Sequence, residues 1–233
     1  MKTERALVLC AHDDDEVIGM GGTIRKLANA GVQVFTVVFA SGNEGYTQLS
    51  EKDTIVARRR GERAKAQRVL GTAGCIAHAH GDFENLDSES VYREIMQAVR
   101  QVRPHLVFAH LSTDYMAHRT LAKVVPEAVW QAGWECSLDL GKPWKVNRLY
   151  QFSVLELIPK PSHIVDITDT LRAKLRAMEA YRSQHAVVAG IMKQIEARAR
   201  AYGSMIGVKH AEAFVKSQFI PLAVGNPADL LSL

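Results

Sequence analysis

The sequence contains 233 residues, of which 47% are hydrophobic and 23% are charged, and its formal net charge is +4. This composition excludes a mainly disordered chain and supplies enough apolar side chains for a packed core. No run of about 18 apolar residues is present, so we expect no transmembrane helix. The first residues, MKTERALVLCAH, lack the long apolar segment of a signal peptide, and we therefore predict a cytoplasmic protein.

The cysteine and basic residues exclude two further classes of protein. The three cysteines are widely spaced without a CxxC pair, which argues against a disulfide framework and against a cysteine-built zinc site. Lys and Arg are scattered, apart from one run at residues 58–60, and aromatic residues are not interleaved with them. Nucleic-acid surfaces usually combine basic and aromatic side chains, so we expect no nucleic-acid partner.

Five apolar runs rich in β-branched residues predict buried strands. In chain order they cover residues 6–11, 32–40, 75–79, 106–111 and 149–157. The first predicted helix begins within the acidic stretch 13–16 and ends at Gly31 as its C-cap. Further helical patterns cover residues 54–70, 88–102, 118–131, 166–181 and 186–201, and residues 141–147 are predicted to be an exposed connection.

The order of these elements predicts the fold class. Near-continuous apolar strands that alternate with helices are typical of a parallel sheet covered on both faces. The sequence therefore predicts an α/β protein with a Rossmann-like, three-layer fold and a mostly parallel sheet. Because no repeat, low-complexity tract or linker interrupts the pattern, we expect residues 1–233 to form a single domain.

Polar side chains follow the first and fourth predicted strands, where an open parallel sheet usually binds its ligands. His12 and four consecutive acids come after the first strand, and His118 comes after the fourth. A catalytic zinc takes three His or carboxylate ligands and leaves one position for water, which His12, Asp15 and His118 would satisfy. Asp14 could accept a proton from that water, whose pKa the metal lowers from about 15.7 toward about 7.

An ordinary helix start is the alternative interpretation of the acidic run. The helix dipole stabilises an acid in the first turn by roughly 0.3–1 kcal/mol, which accounts for two such residues. It does not account for four consecutive acids behind a histidine, where mutual repulsion is costly without a cation. The bare pattern leaves both interpretations open, and His118 alone is more typical of a helix start than of a ligand.

A family resemblance covers most of the chain. Residues 11–24, AHDDDEVIGMGGTI, resemble the AH-P-DDE motif that opens the LmbE/PIG-L family of zinc-dependent N-deacetylases, with Asp13 where that family usually has Pro. Further similar segments are ASGNEGY at 40–46, the R-x-x-E pattern from Arg59 to Glu62, HGDFENLD at 80–87, and residues 165–184 and 207–214. Together these matches are far more specific than the acidic run.

The resemblance implies a metal centre and a general base. His12, Asp15 and His118 would bind one zinc ion per chain, and Asp14 would be the catalytic base. This assignment agrees with the interpretation of the two strand ends given above.

The resemblance leaves open which group protonates the leaving amine. The family usually has a histidine three positions before its last metal ligand, and this chain has Tyr115 there. Tyr115, His110 and His185 are candidates for the role, although a phenol with a reference pKa near 10 is a reluctant acid. We favour Asp14, which could deliver the proton that it first accepted.

Four residues are predicted to bind substrate. Arg59 matches the family's substrate-contacting arginine, and its planar donors suit sugar hydroxyls or a phosphate; its alternative is an ordinary surface arginine. Asp82 could hold a substrate hydroxyl, or it could be a turn residue. Asn43 and Glu44 follow the second strand and are expected to line the pocket.

The sequence thus predicts a zinc-dependent hydrolase that removes an N-acetyl group from an amino sugar, such as an N-acetylglucosamine derivative, or from a related small metabolite. The resemblance is also compatible with a homo-oligomer. One alternative is a deacetylase-like binding protein that has lost turnover, because Tyr115 replaces the usual histidine. Another is a metal-dependent glycosyltransferase whose acidic run holds a hard cation, which would give His12 and His118 no role.

Overall fold

A seven-stranded mixed sheet forms the centre of the computed structural model, which describes residues 4–220. Its strands are β1 (Arg5–Cys10), β2 (Gln33–Ala40), β3 (Gly74–His80), β4 (Leu106–His110), β5 (Arg148–Phe152), β6 (His163–Asp166) and β7 (Ala211–Lys216). Across the sheet their order is β3-β2-β1-β4-β5-β7-β6. The first five strands are parallel to one another, whereas β7 runs antiparallel to both β5 and β6.

Helices cover both faces of this sheet. They are α1 (Asp15–Asn29), α2 (Ile55–Leu70), α3 (Glu89–Val102), α4 (Met116–Gln131), α5 (Leu171–Glu179), α6 (Gln184–Val187) and α7 (Ile191–Ile206). Alternate residues of β1 belong to opposite cores: Leu7 and Leu9 pack with α3 and α4, and Ala6 and Val8 pack with α1, α5 and α7. The predicted three-layer α/β fold is confirmed. No helix within residues 4–220 is both long and apolar enough to cross a bilayer.

The predicted elements agree with the structure best in the first half of the chain. Helix α2 ends at Gly71 in the left-handed conformation, as expected, while α1 is capped at Ala30, one residue before the predicted Gly31. The fifth strand ends at Phe152 rather than at residue 157, because the next backbone N–H groups bond to Asp114 instead of a strand. The helix expected from residue 166 begins only at Leu171, since β6 extends to Asp166 and a turn at residues 167–170 follows it.

Helix α1 is kinked, and the kink is stabilised from the other end of the chain. Met20 has non-helical backbone angles (φ −150°, ψ 23°), which leaves the N–H groups after it without helical partners. The carboxylate of Glu212 on β7 accepts hydrogen bonds from Gly22 N at 2.9 Å and Thr23 N at 2.7 Å. Lys174 on α5 donates to the same carboxylate at 2.6 Å, and both side chains are buried. The last strand thereby fixes the helix that begins at the candidate site.

Candidate active site

The candidate site lies where β1 and β4 end. These two strands are hydrogen-bonded neighbours and run in parallel. The acidic run therefore meets the segment at the start of α4 along one edge of the sheet. This edge is where the fold brings together residues that are about a hundred positions apart, such as His12 and Tyr115.

Three side chains from these strand ends form a candidate metal centre. His12, Asp15 and His118 are buried, and each offers a ligand atom within 4.8 Å of the others. His118 Nε2 lies 3.1 Å from Asp15 Oδ1 without hydrogen-bond geometry, and this buried nitrogen has no hydrogen-bond partner within residues 4–220. A buried, unpartnered imidazole nitrogen beside a carboxylate is an arrangement that a metal ion would complete.

Asp15 is held in place by the backbone and by histidines. His12 N donates to Asp15 Oδ2 at 2.7 Å, and His110 Nε2 lies 3.1 Å from the same oxygen. Burial alone would disfavour the charged carboxylate, but His118 and His110 hold the pKa of Asp15 well below its usual range. Asp15 is therefore ionised and available as a ligand.

A second set of potential ligands, His110, Asp114 and His118, shares one histidine with the first. The Asp114 carboxylate already accepts hydrogen bonds from the backbone N–H groups of residues 154–156, at 2.8, 3.1 and 3.2 Å. Its Oδ2 also lies 3.3 Å from His118 Nδ1. Because metal-bound histidines commonly donate their other ring N–H to a carboxylate, Asp114 is placed to orient His118 rather than to bind the ion itself.

Asp14 has a strained backbone at the start of α1. Its φ of 93° and ψ of −22° lie in the left-handed region, which costs a residue other than glycine about 1–3 kcal/mol. The strain is maintained because the Asp14 carbonyl accepts hydrogen bonds from Val17 N and Ile18 N, both at 2.9 Å. Burial raises the pKa of the Asp14 carboxyl to about 8, against the opposing effect of Arg59, whose Nη2 lies 3.8 Å from Oδ1.

The other two acids of the run have different partners. Asp13, at the position where the family usually has Pro, pairs through Oδ1 with Arg63 Nη1 at 2.9 Å. Glu16 accepts a hydrogen bond from the Tyr181 hydroxyl at 3.3 Å. The four acids of the run therefore have different partners, and among them only Asp14 and Asp15 line the cavity described below.

Arg59 reaches the site from α2. Its Nη2 donates to the Asp13 carbonyl at 2.6 Å, and its buried Nε has no hydrogen-bond partner in the described part of the chain. Gly42 has a φ of +73°, and a Cβ atom there would lie 2.6 Å from Arg59 Nε, so a glycine is needed. One turn after Arg59, Glu62 accepts hydrogen bonds from Ser183 N at 3.0 Å and Ser183 Oγ at 2.6 Å. The R-x-x-E pattern thus joins a residue at the site to one that anchors the segment before α6.

Tyr115 lies beside the candidate metal centre. Its hydroxyl is 3.1 Å from His12 Nδ1, and its ring centroid is 4.1 Å from that of His118. Tyr115 is 45% exposed and lines the cavity, so it is accessible to a bound molecule.

The two other candidates for the acid role have different surroundings. His110 is fully buried, its ring is stacked on His118 with centroids 4.0 Å apart, and its Nε2 accepts a hydrogen bond from Ala11 N at 3.0 Å. His185 Nε2 lies 3.1 Å from the Met178 carbonyl. Neither histidine lines the cavity, so of the three candidates only Tyr115 can contact a molecule bound there.

Asp82 holds the loop that follows β2. Its two carboxylate oxygens accept hydrogen bonds from Gly42 N at 2.8 Å and Glu44 N at 3.0 Å. Asn43 Oδ1 accepts a hydrogen bond from Asp82 N at 3.0 Å, and its Nδ2 donates to Glu44 Oε1 at 2.9 Å. Asp82 and Glu44 line the cavity, whereas Asn43, which we expected there, bonds within the loop and is not a lining residue.

A cavity of about 360 Å³ connects these groups. Its wall also includes three apolar side chains and one amide that the sequence analysis did not propose as site residues: Phe83, Leu155, Val187 and Gln184. Gln184 Nε2 donates to the Gly45 carbonyl at 3.1 Å. Gln184 ends the family-like segment 165–184 and Phe83 lies in the family-like segment 80–87, and both were usable signals. Leu155 belongs to the stretch 149–157 that was predicted as a strand, but it lies beyond the end of β5.

Comparison with known proteins gives three kinds of similarity. The family model described as PIG-L, GlcNAc-PI de-N-acetylase, matches residues 7–129. The diacetylchitobiose deacetylase of Thermococcus kodakarensis is 31% identical over 234 residues, covering 92% of this chain and 83% of that protein. The 1D-myo-inositol 2-acetamido-2-deoxy-alpha-D-glucopyranoside deacetylase of Rhodococcus opacus is 28% identical, covering 79% and 82%. The solved structure of N,N′-diacetylchitobiose deacetylase from Pyrococcus horikoshii has a TM-score of 0.86 at 29% identity, covering 98% of this chain and 89% of that chain.

Proposed function

Because the chain belongs to the PIG-L, GlcNAc-PI de-N-acetylase family, we propose that it is a zinc-dependent hydrolase that removes the acetyl group from the nitrogen of an N-acetylated amino sugar. The enzyme class, an amidohydrolase acting on N-acetyl groups, is that of its relatives. The observation that carries the proposal is the convergence of His12, Asp15 and His118 at a cavity that Asp14 also lines.

The side chains present fit a zinc ion. Two imidazoles and one carboxylate are a common catalytic ligand set, and the unpartnered His118 Nε2 is aimed at the Asp15 carboxylate. Zinc held there would act as a Lewis acid and lower the pKa of a water molecule from about 15.7 toward about 7. Asp114 would keep His118 in the tautomer with its proton on Nδ1, because its carboxylate lies 3.3 Å from that nitrogen.

Asp14 is proposed to move the proton. As the oxygen of the attacking water adds to the carbonyl carbon, Asp14 accepts the proton that this oxygen loses. Asp14 then delivers the same proton to the amide nitrogen, the C–N bond breaks, and the products are acetate and a free amine. Burial raises the pKa of Asp14 to about 8 against the opposing effect of Arg59, so the ionised form that accepts a proton increases as the pH rises through about 8.

Tyr115 is proposed to stabilise the developing oxyanion. It is the candidate whose hydroxyl is accessible from the cavity, and a phenol can donate a hydrogen bond without losing its proton. Burial raises the pKa of Tyr115 above its ordinary value, so the group remains a donor. We therefore assign proton transfer to Asp14 and oxyanion stabilisation to Tyr115.

The cavity wall supports a sugar-sized substrate. Asp82 and Glu44 present carboxylate oxygens that can accept hydrogen bonds from hydroxyl groups, and Arg59 also lines the cavity. Phe83 is 77% exposed at this cavity and offers a flat apolar surface to a sugar ring. Asn43 is proposed to act indirectly, by shaping the loop that carries Glu44.

The proposal is tested by incubating the purified protein with N-acetylated amino sugars and measuring free amine and acetate. We expect equal amounts of both products, and we expect a chelator to abolish the reaction and added zinc to restore it. Sugar binding without acetate release would instead support a binding protein that has lost turnover. A glycosyltransferase is not favoured, because both histidines converge on Asp15.

A further inference from the structure

Residue 13 is where this chain departs from the opening motif of its family. Asp13 takes the place of the usual Pro and directly precedes Asp14, the proposed general base. A proline ring would restrict the backbone here, whereas an aspartate leaves the backbone freer and needs a partner for its carboxylate, which is only 5% exposed. Arg63 on α2 is that partner, because its Nη1 donates to Asp13 Oδ1 at 2.9 Å. Arg63 lies outside the R-x-x-E pattern, so the resemblance to the family assigns it no role.

We propose that Arg63 and Asp13 form a positioning pair that holds Asp14 in the backbone conformation from which it transfers the proton. This inference rests on the proposed deacetylase function and adds two positioning residues to it. Neither residue lines the cavity or belongs to the candidate metal centre. Their effect on the reaction is therefore exerted through Asp14.

The peptide groups on both sides of the Asp14 Cα atom are held by hydrogen bonds. Arg59 Nη2 donates to the Asp13 carbonyl at 2.6 Å, and because a peptide group is planar, this bond fixes the plane that precedes Asp14. The next peptide group is fixed as well, since the Asp14 carbonyl accepts hydrogen bonds from Val17 N and Ile18 N. With both planes fixed, Asp14 retains its left-handed φ of 93°.

Helix α2 holds residue 13 at two points. Arg59 and Arg63 are four residues apart, so their side chains leave the same face of the helix. The first binds the backbone carbonyl of Asp13, and the second binds its carboxylate. The helix itself is anchored in the core through Ala66 and Leu70, which are fully buried. Without Arg63, residue 13 would keep only its backbone attachment, and its buried carboxylate would lose the cation that contacts it.

Asp14 depends on such restraint because its backbone conformation is intrinsically unfavourable. A residue other than glycine rarely adopts a positive φ, and it persists there only when its surroundings enforce it. Relaxation to the right-handed region, with φ near about −60°, would turn the side chain about the N–Cα bond and move the carboxylate from its present position. A displacement of about 1 Å at a reacting group can lower a rate about 100-fold. We therefore expect loosening of residue 13 to lower kcat with little change in KM.

The proposal is tested first by Arg63→Met, which keeps most of the apolar stem of the side chain but removes the guanidinium. We expect kcat for acetate release to fall about 10–100-fold, while KM and zinc content stay within about twofold of their values in the unaltered protein. Arg60→Met, at an exposed arginine of the same helix, is the matched control and should change none of the three quantities. An unchanged kcat in Arg63→Met would overturn the proposal.

Two rescue experiments separate the positioning of Asp14 from an effect of charge. Asp13→Asn removes the charge but keeps an Oδ1 that accepts a hydrogen bond from Arg63, so it should retain at least about a third of kcat. In the double variant Asp13→Pro/Arg63→Met, the proline ring restrains residue 13 in place of the hydrogen bond, and kcat should rise at least about fivefold above that of Arg63→Met. A loss of kcat in Asp13→Asn as large as that in Arg63→Met would assign the effect to charge and overturn the positioning role. A folded double variant that is no faster than Arg63→Met would overturn it too.

A structural measurement tests the pair independently of the proposed function. Crystal structures should show Asp14 with a left-handed φ in the unaltered protein, and with a changed φ and a displaced carboxylate in Arg63→Met. An unmoved carboxylate in Arg63→Met would refute the positioning role even if that variant is slow. Should Arg63→Met not fold, Asp13→Ala, which leaves no unpaired carboxylate in the interior, should show the same displacement and the same fall in kcat, and their absence would refute the pair. If the unaltered protein releases no acetate from any N-acetylated sugar, the proposed function is wrong, and the position of Asp14 still decides whether the pair holds it.

Discussion

The chain up to β4 and α4 and the chain after them contribute different parts of the candidate site. The potential metal ligands and Asp14 all come from residues 12–118, where parallel strands end at one edge of the sheet. Leu155, Gln184 and Val187, which come from later loops and helices, also line the cavity. The parallel strands thus place the reactive groups, and the later segments complete a cavity wall to which Glu44, Asp82 and Phe83 also contribute. Substitutions in the two regions should consequently have separable effects.

The largest effect is expected from substitutions in the first region. His118→Ala removes a ligand and should abolish zinc binding together with acetate release. Asp14→Ala should retain zinc and lower kcat about 10²–10⁴-fold, the usual contribution of a positioned general base. Metal content and acetate release are measured on the same preparations. Equal zinc content in His118→Ala and the unaltered protein would remove His118 from the ligand set.

The next largest expected effect is a loss of stability, caused by a substitution in the second region, the chain after α4. Glu212→Gln leaves buried Lys174 without its counter-charge and weakens the bonds to the kinked helix, so we expect a loss of about 3–5 kcal/mol in the free energy of unfolding. Glu196→Gln, which breaks an exposed pair with Arg200, is the control and should cost less than about 1 kcal/mol. Urea titration measures the free energy of unfolding of both variants. Equal losses would show that the contacts of Glu212 with Lys174 and α1 stabilise the fold no more than an exposed ion pair does.

A smaller effect is expected from the outer partner of His118. Asp114→Asn keeps most of the side chain's shape but replaces one carboxylate oxygen by an NH2 group, which cannot accept a hydrogen bond from His118. Zinc affinity, measured by competition with a chelator, should fall about 10–100-fold. Asp169→Asn, at an exposed ion pair with Lys26, is the control and should leave the affinity unchanged. An unchanged affinity in Asp114→Asn would show that this carboxylate does not orient the ligand.

The smallest effect is expected at the exposed wall of the cavity. Phe83→Ala removes an aromatic contact worth about 0.5–1.5 kcal/mol, so KM should rise about 2–10-fold while kcat and zinc content stay the same. Leu138→Ala removes another exposed apolar side chain that does not line the cavity, and it should change neither constant. A fall in kcat alone would mean that Phe83 affects the reacting groups rather than substrate binding.

The sequence predicted the parallel half of the fold better than the remainder for a physical reason. Strands such as β1 and β2 are buried on both faces, so they read as continuous apolar runs, and polar residues directly after them mark the site. Strands β6 and β7 have only four and six residues and pair with each other across about fifty residues of chain. No local pattern encodes such a pairing, so these strands were missed.

The local sequence pattern also could not predict which acids of the run 13–16 lie at the candidate metal centre. Asp14 adopts a left-handed conformation, which interrupts the helical periodicity that would have shown where its neighbours point. The partners that decide the outcome, Arg63 for Asp13 and Tyr181 for Glu16, lie on distant elements. The sequence indicated which residue types could bind a metal, but which carboxylates lie beside it depends on tertiary contacts.

The bond between Glu212 and the kink of α1 also bears on how the protein is made. Gly22 and Glu212 are separated by 190 positions. A ribosome that adds about 5–20 residues per second needs about 10–40 seconds to synthesise that interval. Throughout this time the N–H groups after Met20 lack the carboxylate that satisfies them in the finished fold. We therefore expect the kinked helix α1, which begins at Asp15, to reach its final arrangement only after β7 has emerged and docked.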